Sequence, residues 1–296
     1  MKRLRRWSVG GALAVVGLIT LDALCGLVYR SGTDARVTVT GARSSVARRA
    51  IVILPGYLMS GQLVGRAFAP YVAPDDALVS VDYAEHGVDI DDIYARVMAA
   101  LGELRPTELR FYGASLGGMV SVLLADRYRR DGQPFGQPVL VLDSAPAEKR
   151  DLKRPGWLFP LSCRYRGGPV STAVWAAASG VGAQPPLDSG ADQTLVDAAR
   201  HSGAWAGTPA ATTQACFIGR FRAPPQAAGL VSDAVFLRTR CAADDPVVRI
   251  PQSITHWWTM FPQLAVVMLD GRVGRWHLPL VEQPRETVAA ITATYS

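Results

Sequence analysis

The chain has 296 residues, of which 49% are hydrophobic and 19% are charged, so it can bury one large core and is not a disordered or fibrous protein. Its formal net charge is +6, but Lys2, Arg3, Arg5 and Arg6 supply four of the 31 basic residues. Setting these four aside leaves 27 basic against 25 acidic residues. No basic patch with base-contacting elements is evident in this nearly neutral body, which excludes nucleic-acid binding as the predicted function.

An apolar run follows the basic N-terminus and covers about residues 9–29. As a helix this run would be about 31 Å long at 1.5 Å per residue, enough to cross the hydrocarbon core of a bilayer. Residues 1–30 are therefore predicted to form a membrane anchor, with a cleaved signal or a buried helix as alternatives. Asp22 opposes insertion, because a carboxylate inside a membrane is costly. An anchor or a signal would leave the rest of the chain extracytoplasmic, either membrane-anchored or secreted.

The four cysteines are too few to form a disulfide scaffold in a chain of this length. Cys25 lies in the N-terminal apolar run, which leaves Cys163, Cys216 and Cys241. Cys163 and Cys216 could pair in an oxidising compartment. The alternative is that all three are small buried hydrophobic side chains.

Short strands alternate with helices along most of the chain. Apolar runs ended by turn residues predict strands, and apolar residues three or four positions apart predict helices. The predicted strands are 36–40, 50–54, 77–83, 108–112, 138–142, 234–240 and 264–269. The predicted helices are 89–104, 116–129, 172–179, 254–260 and 285–294. This alternation is typical of an α/β fold with a doubly wound, mostly parallel sheet and helices on both of its faces.

The alternation is interrupted between residues 147 and 230, a stretch that contains Trp157, Trp175 and Trp205. We expect an α/β core formed by residues 31–146 and 231–296. Residues 147–230 are predicted to be an insertion over the carboxyl edge of the sheet. An apolar insertion of this kind favours a small-molecule or lipid-like ligand.

The sequence Gly113-Ala114-Ser115-Leu116-Gly117 follows a predicted strand and opens a predicted helix. This G-x-S-x-G pattern forms a sharp, strained turn that raises the serine hydroxyl above the sheet. Glycines are needed on both sides because larger side chains would collide. The turn also directs the Leu116 amide and the helix N-terminus towards the place where an oxyanion would form. Ser115 is therefore the predicted nucleophile.

A serine hydroxyl needs a base that removes its proton, and histidine is the usual base. His277 follows the last predicted strand, so it should lie on a loop at the same sheet edge as Ser115. His86 also follows a strand and is an alternative, or a residue of the pocket rim. His201 falls in the insertion, and His256 is in a predicted helix beside two tryptophans, where packing is the simpler role.

The base in turn needs a carboxylate that orients its ring. Asp245 lies just beyond the strand 234–240, and Pro246 stiffens the turn there. Asp244, its neighbour, and Asp143, at the end of the strand after the nucleophile helix, are the alternatives. The primary assignment is therefore Ser115, Asp245 and His277.

This order of nucleophile, acid and histidine resembles the α/β-hydrolase superfamily, over about residues 50–295. The resemblance implies that the insertion 147–230 is a lid or cap over an acyl-binding site. Asp245-Pro-Val-Val resembles the acid turn of that family, and His277-Leu-Pro-Leu resembles its histidine loop. The resemblance implies a serine hydrolase that cleaves a carboxylic ester, a thioester or a lipid ester through an acyl-enzyme. An acyltransferase with the same triad, or a non-catalytic envelope binding protein, are the alternatives. No cofactor or metal is implied.

The resemblance also implies a second oxyanion donor besides Leu116. Family members often carry His-Gly after the strand that precedes this donor, and the amide of the next residue donates. Here Pro55 replaces the histidine before Gly56. Tyr57 is the predicted donor, with Leu58 as the alternative.

Overall fold

A central seven-stranded sheet organises the protein in the computed structural model, which describes residues 2–29, 35–41, 46–179, 208–224, 229–240, 245–269 and 277–294. The strands are β1 (Arg36–Gly41), β2 (Arg49–Leu54), β3 (Asp76–Asp82), β4 (Glu108–Ala114), β5 (Val139–Asp143), β6 (Asp233–Thr239) and β7 (Ala265–Leu269). Their order across the sheet is β1-β3-β2-β4-β5-β6-β7, and only the pairing of β1 with β3 is antiparallel. The predicted mostly parallel sheet is confirmed.

Hydrophobic cores cover both faces of this sheet. All six residues of β2 are buried, and alternate side chains belong to different cores. Val52 and Leu54 pack into one core, whereas Ile51 and Ile53 pack into the other. This arrangement follows from the period of two along a strand, and it explains why the central strands are continuous apolar runs.

Ten α-helices lie in the described ranges, and four of them were not predicted from the sequence. The helices are α1 (Lys2–Tyr29), α2 (Gly61–Phe68), α3 (Ile90–Leu104), α4 (Leu116–Arg130), α5 (Leu158–Ser162), α6 (Pro169–Ser179), α7 (Thr208–Arg220), α8 (Ile250–Met260), α9 (Pro279–Glu282) and α10 (Pro284–Thr292). The helices α2, α5, α7 and α9 are the elements that the sequence pattern did not indicate. Asp89 begins α3 by accepting hydrogen bonds from the amides of Asp91 and Asp92.

The connection from β5 to β6 carries the predicted insertion. Its described part contains α5, α6 and α7, whose buried residues Leu158, Trp175 and Ala215 form a small core of their own. A disulfide joins Cys163 to Cys216, with their Cα atoms 4.7 Å apart. The structure thus shows the pairing that the sequence analysis left open. Trp205 and residues 180–207 lie outside the described residues, and the role of the insertion as a lid stays a prediction.

The N-terminal run is helical, and α1 contacts helix α6 of the insertion. The carboxylate of Asp22 accepts hydrogen bonds from the amide and the hydroxyl of Ser171 in α6, both at 3.1 Å. In the described part of the chain, no helix combines the length and the apolar character needed to cross a membrane. The predicted membrane anchor is therefore not supported.

Candidate active site

Ser115 lies in the sharp turn between β4 and α4. Its backbone angles are φ 49° and ψ −112°, a strained conformation for a residue with a side chain. The turn is held by its backbone, because the Ser115 amide donates to the Asp143 carbonyl at 2.8 Å and the Gly118 amide donates to the Ser115 carbonyl at 2.9 Å. A Cβ atom on Gly113 would lie 2.5 Å from the Gly117 carbonyl oxygen, so the turn needs glycine there.

Ser115, His277 and Asp245 form one continuous chain of hydrogen bonds. His277 Nε2 is 2.8 Å from Ser115 Oγ, and His277 Nδ1 is 2.8 Å from Asp245 Oδ2. The other carboxylate oxygen of Asp245 accepts the amides of Val247 and Val248, both at 2.7 Å. These two bonds fix the carboxylate, which then accepts the Nδ1 proton. In the tautomer that carries its proton on Nδ1, His277 donates to Asp245, and Nε2 can accept from the Ser115 hydroxyl.

The comparisons with known proteins agree with this architecture. No protein-family model matches the sequence, and no curated protein matches it. Among solved structures, the enol-lactonase from Burkholderia xenovorans LB400 is similar at 15% identity and a TM-score of 0.60, over 88% of this chain and 96% of that one. The esterase from Exiguobacterium antarcticum is similar at 13% identity and a TM-score of 0.57, over 88% and 94% of the two chains. The chain has the α/β-hydrolase fold.

A third α/β-hydrolase-fold structure of a different acyl chemistry is also similar. It is a type II thioesterase from the borrelidin biosynthetic cluster, with 18% identity and a TM-score of 0.53 over 86% of this chain and 95% of that one. At such identities the likeness extends to the fold, and the chemistry must be argued from the residues of this chain.

The other candidate histidines occupy different positions in the α/β-hydrolase fold. His86 lies in the turn after β3 that is closed by the bridge between Ala84 and Gly87. His256 lies in α8 and contacts Asp151, with His256 Nδ1 2.7 Å from Asp151 Oδ1. His201 lies outside the described residues. His277 is the histidine that contacts the serine hydroxyl.

The two alternative carboxylates are Asp244 and Asp143. Asp244 lies outside the described residues. Asp143 ends β5 and is fully buried, and its Oδ2 accepts the Tyr112 hydroxyl at 2.5 Å. Burial raises the pKa of Asp143 to about 7, against the opposing effects of the Tyr112 hydrogen bond and the nearby charge of His277. Asp143 is therefore a neighbour of the histidine loop, whereas Asp245 makes the contact with the ring.

The predicted oxyanion donors lie in the turns that follow two adjacent parallel strands. Leu54 of β2 pairs with Gly113 of β4, so the turn after β2 runs beside Ser115. Within the described residues, no hydrogen bond uses the amide of Tyr57 or of Leu116. The amide of Leu58, by contrast, donates to Gln214 Oε1 at 2.7 Å.

One further group of side chains has the composition of a metal site: Glu148, Asp151 and His256. However, Asp151 Oδ2 already accepts the amides of Ala147 and Glu148, at 2.9 and 3.0 Å, and its Oδ1 contacts His256. Because both oxygens of this fully buried carboxylate are occupied by protein donors, the group joins the start of the insertion to α8. We therefore assign this group a structural role and propose no metal there.

Two contributors to the site region were missed by the sequence analysis. Tyr112 faces the buried carboxyl of Asp143, and Gln214 reaches the turn after β2 from α7. Their partners are 31 and 156 positions away, so no local pattern marks either residue.

Proposed function

We propose that this chain hydrolyses carboxylic esters or thioesters through an acyl-enzyme formed on Ser115. The observation that carries the proposal is the hydrogen-bonded chain from Asp245 through His277 to Ser115, with both links at 2.8 Å. Serine at the strained turn favours acyl transfer, because a weak alcohol nucleophile becomes reactive once an adjacent imidazole removes its proton.

In the first half-reaction, His277 Nε2 takes the Ser115 proton while Oγ attacks the acyl carbon. The carbonyl oxygen becomes an oxyanion, and the tetrahedral intermediate collapses as the protonated imidazole gives its proton to the leaving alcohol or thiol. In the second half-reaction, His277 deprotonates a water molecule that attacks the acyl carbon. The second tetrahedral intermediate collapses by breaking the bond to Ser115 Oγ, which takes the proton back from His277 as the carboxylic acid leaves. Asp245 remains ionised throughout, holds the Nδ1 proton and stabilises the imidazolium.

We assign the oxyanion hole to the amides of Leu116 and Tyr57. An oxyanion donor has to be available when charge develops, and these two amides have no partner among the described residues. The Leu58 amide is a poorer candidate, because Gln214 already accepts its proton. Leu116 has a second advantage, since it begins α4 and the N-terminus of a helix favours negative charge.

The substrate class follows from the nucleophile and from the structural likenesses. The similar solved structures include an enol-lactonase, an esterase and a thioesterase, names that denote cleavage of an ester or a thioester. We therefore propose that the substrate of this chain is a small-molecule or lipid-like acyl ester or thioester.

We also infer that the α/β core works outside the cytoplasm. The Cys163–Cys216 disulfide supports this location, because such bonds persist in oxidising compartments and are rare in the cytosol. Alkylating free thiols in intact cells before lysis, followed by mass spectrometry, would reveal the pair as unmodified. Alkylation of both cysteines would contradict the proposed location.

The experiment that tests the activity combines a fluorophosphonate probe with panels of p-nitrophenyl esters and acyl thioesters. Wild type should be labelled at residue 115 and should turn over part of the panel. Ser115→Ala should lose the label and about 10⁴-fold or more in kcat. Labelling that survives this substitution would refute the assignment. Added alcohols that yield new esters instead of free acid would identify an acyltransferase, and an unlabelled, inactive wild type would identify a binding protein.

A further inference from the structure

Helix α7 of the insertion is hydrogen-bonded to the turn that holds the proposed oxyanion donor. The Tyr57 hydroxyl donates to the Ala211 carbonyl at 2.9 Å, and the Leu58 amide donates to Gln214 Oε1 at 2.7 Å. Burial raises the pKa of Tyr57 to about 12, so its hydroxyl remains a donor at neutral pH. One helix of the insertion thus contacts two consecutive residues of this turn.

The conformation of the turn makes the second of these bonds important. Leu58 has φ 59°, in the left-handed region that side chains other than glycine disfavour. Such a residue keeps this conformation only when its surroundings impose it. The 2.7 Å bond to Gln214 uses the Leu58 amide directly, and Gln214 is itself only 4% exposed.

Two other hydrogen bonds hold this turn, one within the turn itself and one from the core of the fold. The Met59 amide donates to the Gly56 carbonyl at 3.1 Å, and the Tyr83 hydroxyl donates to the Pro55 carbonyl at 3.0 Å. These bonds fix the two ends of the turn. Gln214 acts between them, at the peptide that directly follows Tyr57.

We propose that Gln214 is a positioning residue, through which the insertion sets the direction of the Tyr57 amide in the oxyanion hole. This inference rests on the proposed function, since it assigns Gln214 a part in the same acyl transfer. Without the Gln214 acceptor, the half-buried Leu58 amide has no protein partner, and the turn gains by rotating away from its left-handed conformation. The Tyr57 amide then leaves the direction that a developing oxyanion requires. The expected effect therefore falls on kcat, because an oxyanion forms only in the transition state.

The test compares three substitutions at Gln214 with a matched control on the same helix. Gln214→Met keeps the length of the side chain but removes the acceptor, and Gln214→Glu keeps an acceptor oxygen. Gln214→Asn keeps the amide but shortens its reach by one carbon, and serves if the methionine variant is poorly folded. The control is Thr213→Val, which removes a hydroxyl that lies 3.2 Å from the Glu85 carbonyl and 3.0 Å from the Pro209 carbonyl of its own helix.

For each variant, kcat and KM for a p-nitrophenyl ester are measured per fluorophosphonate-reactive serine, together with the thermal unfolding midpoint. Gln214→Met and Gln214→Asn should lower kcat about 10- to 100-fold with KM within about 3-fold, less than the 10²–10³-fold typical of losing an oxyanion donor outright. Gln214→Glu should restore most of kcat. Thr213→Val should leave kcat within about 3-fold of wild type.

Equal kcat values in wild type, Gln214→Met and Gln214→Asn would overturn the inference while leaving the proposed function intact. So would a loss in Thr213→Val as large as that in Gln214→Met, because helix stability alone would then account for both. A wild-type protein that neither binds the probe nor turns over any ester would instead refute the proposed function itself.

Discussion

The imidazole of His277 lies 2.8 Å from the hydroxyl of Ser115, although 162 positions separate the two residues. Parallel strands explain this proximity. Ser115 follows β4, and His277 follows β7 after a connecting segment, so both lie at the carboxyl edge of one sheet. In parallel α/β sheets, functional groups gather at this edge. The strand topology therefore brings the hydroxyl and the ring to the same edge of the sheet, independently of the hydrogen bond between them.

The proposed role of Asp245 predicts a large loss of activity in Asp245→Asn. An asparagine amide in this position would donate to Nδ1, which moves the ring proton to Nε2 and prevents His277 from accepting the serine proton. We expect kcat/KM for a p-nitrophenyl ester to fall about 10⁴-fold. Asp244→Asn is the matched control and should stay within about 3-fold of wild type. The opposite pattern in these two variants would transfer the role to Asp244.

The sharp turn at Ser115 predicts that Gly117→Ala disrupts the site. A Cβ atom at this position would overlap the backbone carbonyls of Leu54 and Pro55, which cannot move without displacing β2. We expect loss of fluorophosphonate labelling and a thermal unfolding midpoint at least about 5 °C lower.

Gly102→Ala is the control for this substitution. Gly102 lies in α3, and a Cβ atom added there would meet no other atom within 4 Å, so alanine should leave activity unchanged and stabilise the helix by about 0.5–1 kcal/mol. Normal labelling of Gly117→Ala would contradict the steric account of the turn.

The sequence was sufficient to predict features that depend on residues close together in the chain. The buried run of β2 and the glycines around Ser115 follow simple rules of strand period and steric exclusion, and the structure places both as expected. Helix α2 was missed because its start depends on a distant residue. Ser60 caps α2, but Asp82 Oδ1, 22 positions away, accepts the Ser60 hydroxyl at 2.8 Å and the Gly61 amide at 2.7 Å.

The candidate site was predictable to a similar extent. The sequence indicated His277 and Asp245 because each follows a recognisable strand and the order of the three residues resembles a known arrangement, and the structure brings the three side chains into contact. Gln214 could not be found in this way, since its significance depends on the left-handed Leu58 and on the fold of the insertion. A residue that acts through a distant backbone amide has no characteristic sequence separation from it, so no motif marks it.

The disulfide predicts that the stability of the protein depends on its redox state. Cys163 and Cys216 close a loop of 53 residues, and the chain-entropy relation for such a loop gives a stabilisation of up to about 4 kcal/mol. Reduction, or the double substitution to serine, should lower the thermal unfolding midpoint by several degrees. It should also lower kcat, since Cys216 lies in α7 close to Gln214.

Cys25→Ser provides the control for the redox experiment, because Cys25 is a free cysteine in α1. This variant should melt like wild type under oxidising conditions and should respond to reductant in the same way. A melting curve of wild type that is insensitive to reductant would contradict a structural role for the Cys163–Cys216 bond.

The buried carboxyl of Asp143 predicts a specific pH dependence of stability. Burial raises its pKa from 3.8 to about 7 in the folded protein, so the native state holds this proton more tightly than the unfolded chain does. The stabilising contribution is fully present below about pH 4 and is lost as the pH rises through about 7. Asp143→Asn carries no titrating group here, and its amide oxygen can still accept the Tyr112 hydroxyl.

The thermal unfolding midpoint of Asp143→Asn relative to wild type should therefore increase steadily between about pH 4 and pH 7 and then level off. Tyr112→Phe tests the same linkage from the other side. It removes the hydrogen bond that lowers the pKa of Asp143, so its own loss of stability should continue to a higher pH than in wild type. A constant difference between Asp143→Asn and wild type across this range would mean that Asp143 does not titrate there, and that the carboxyl beside the histidine loop is ionised at all of these pH values.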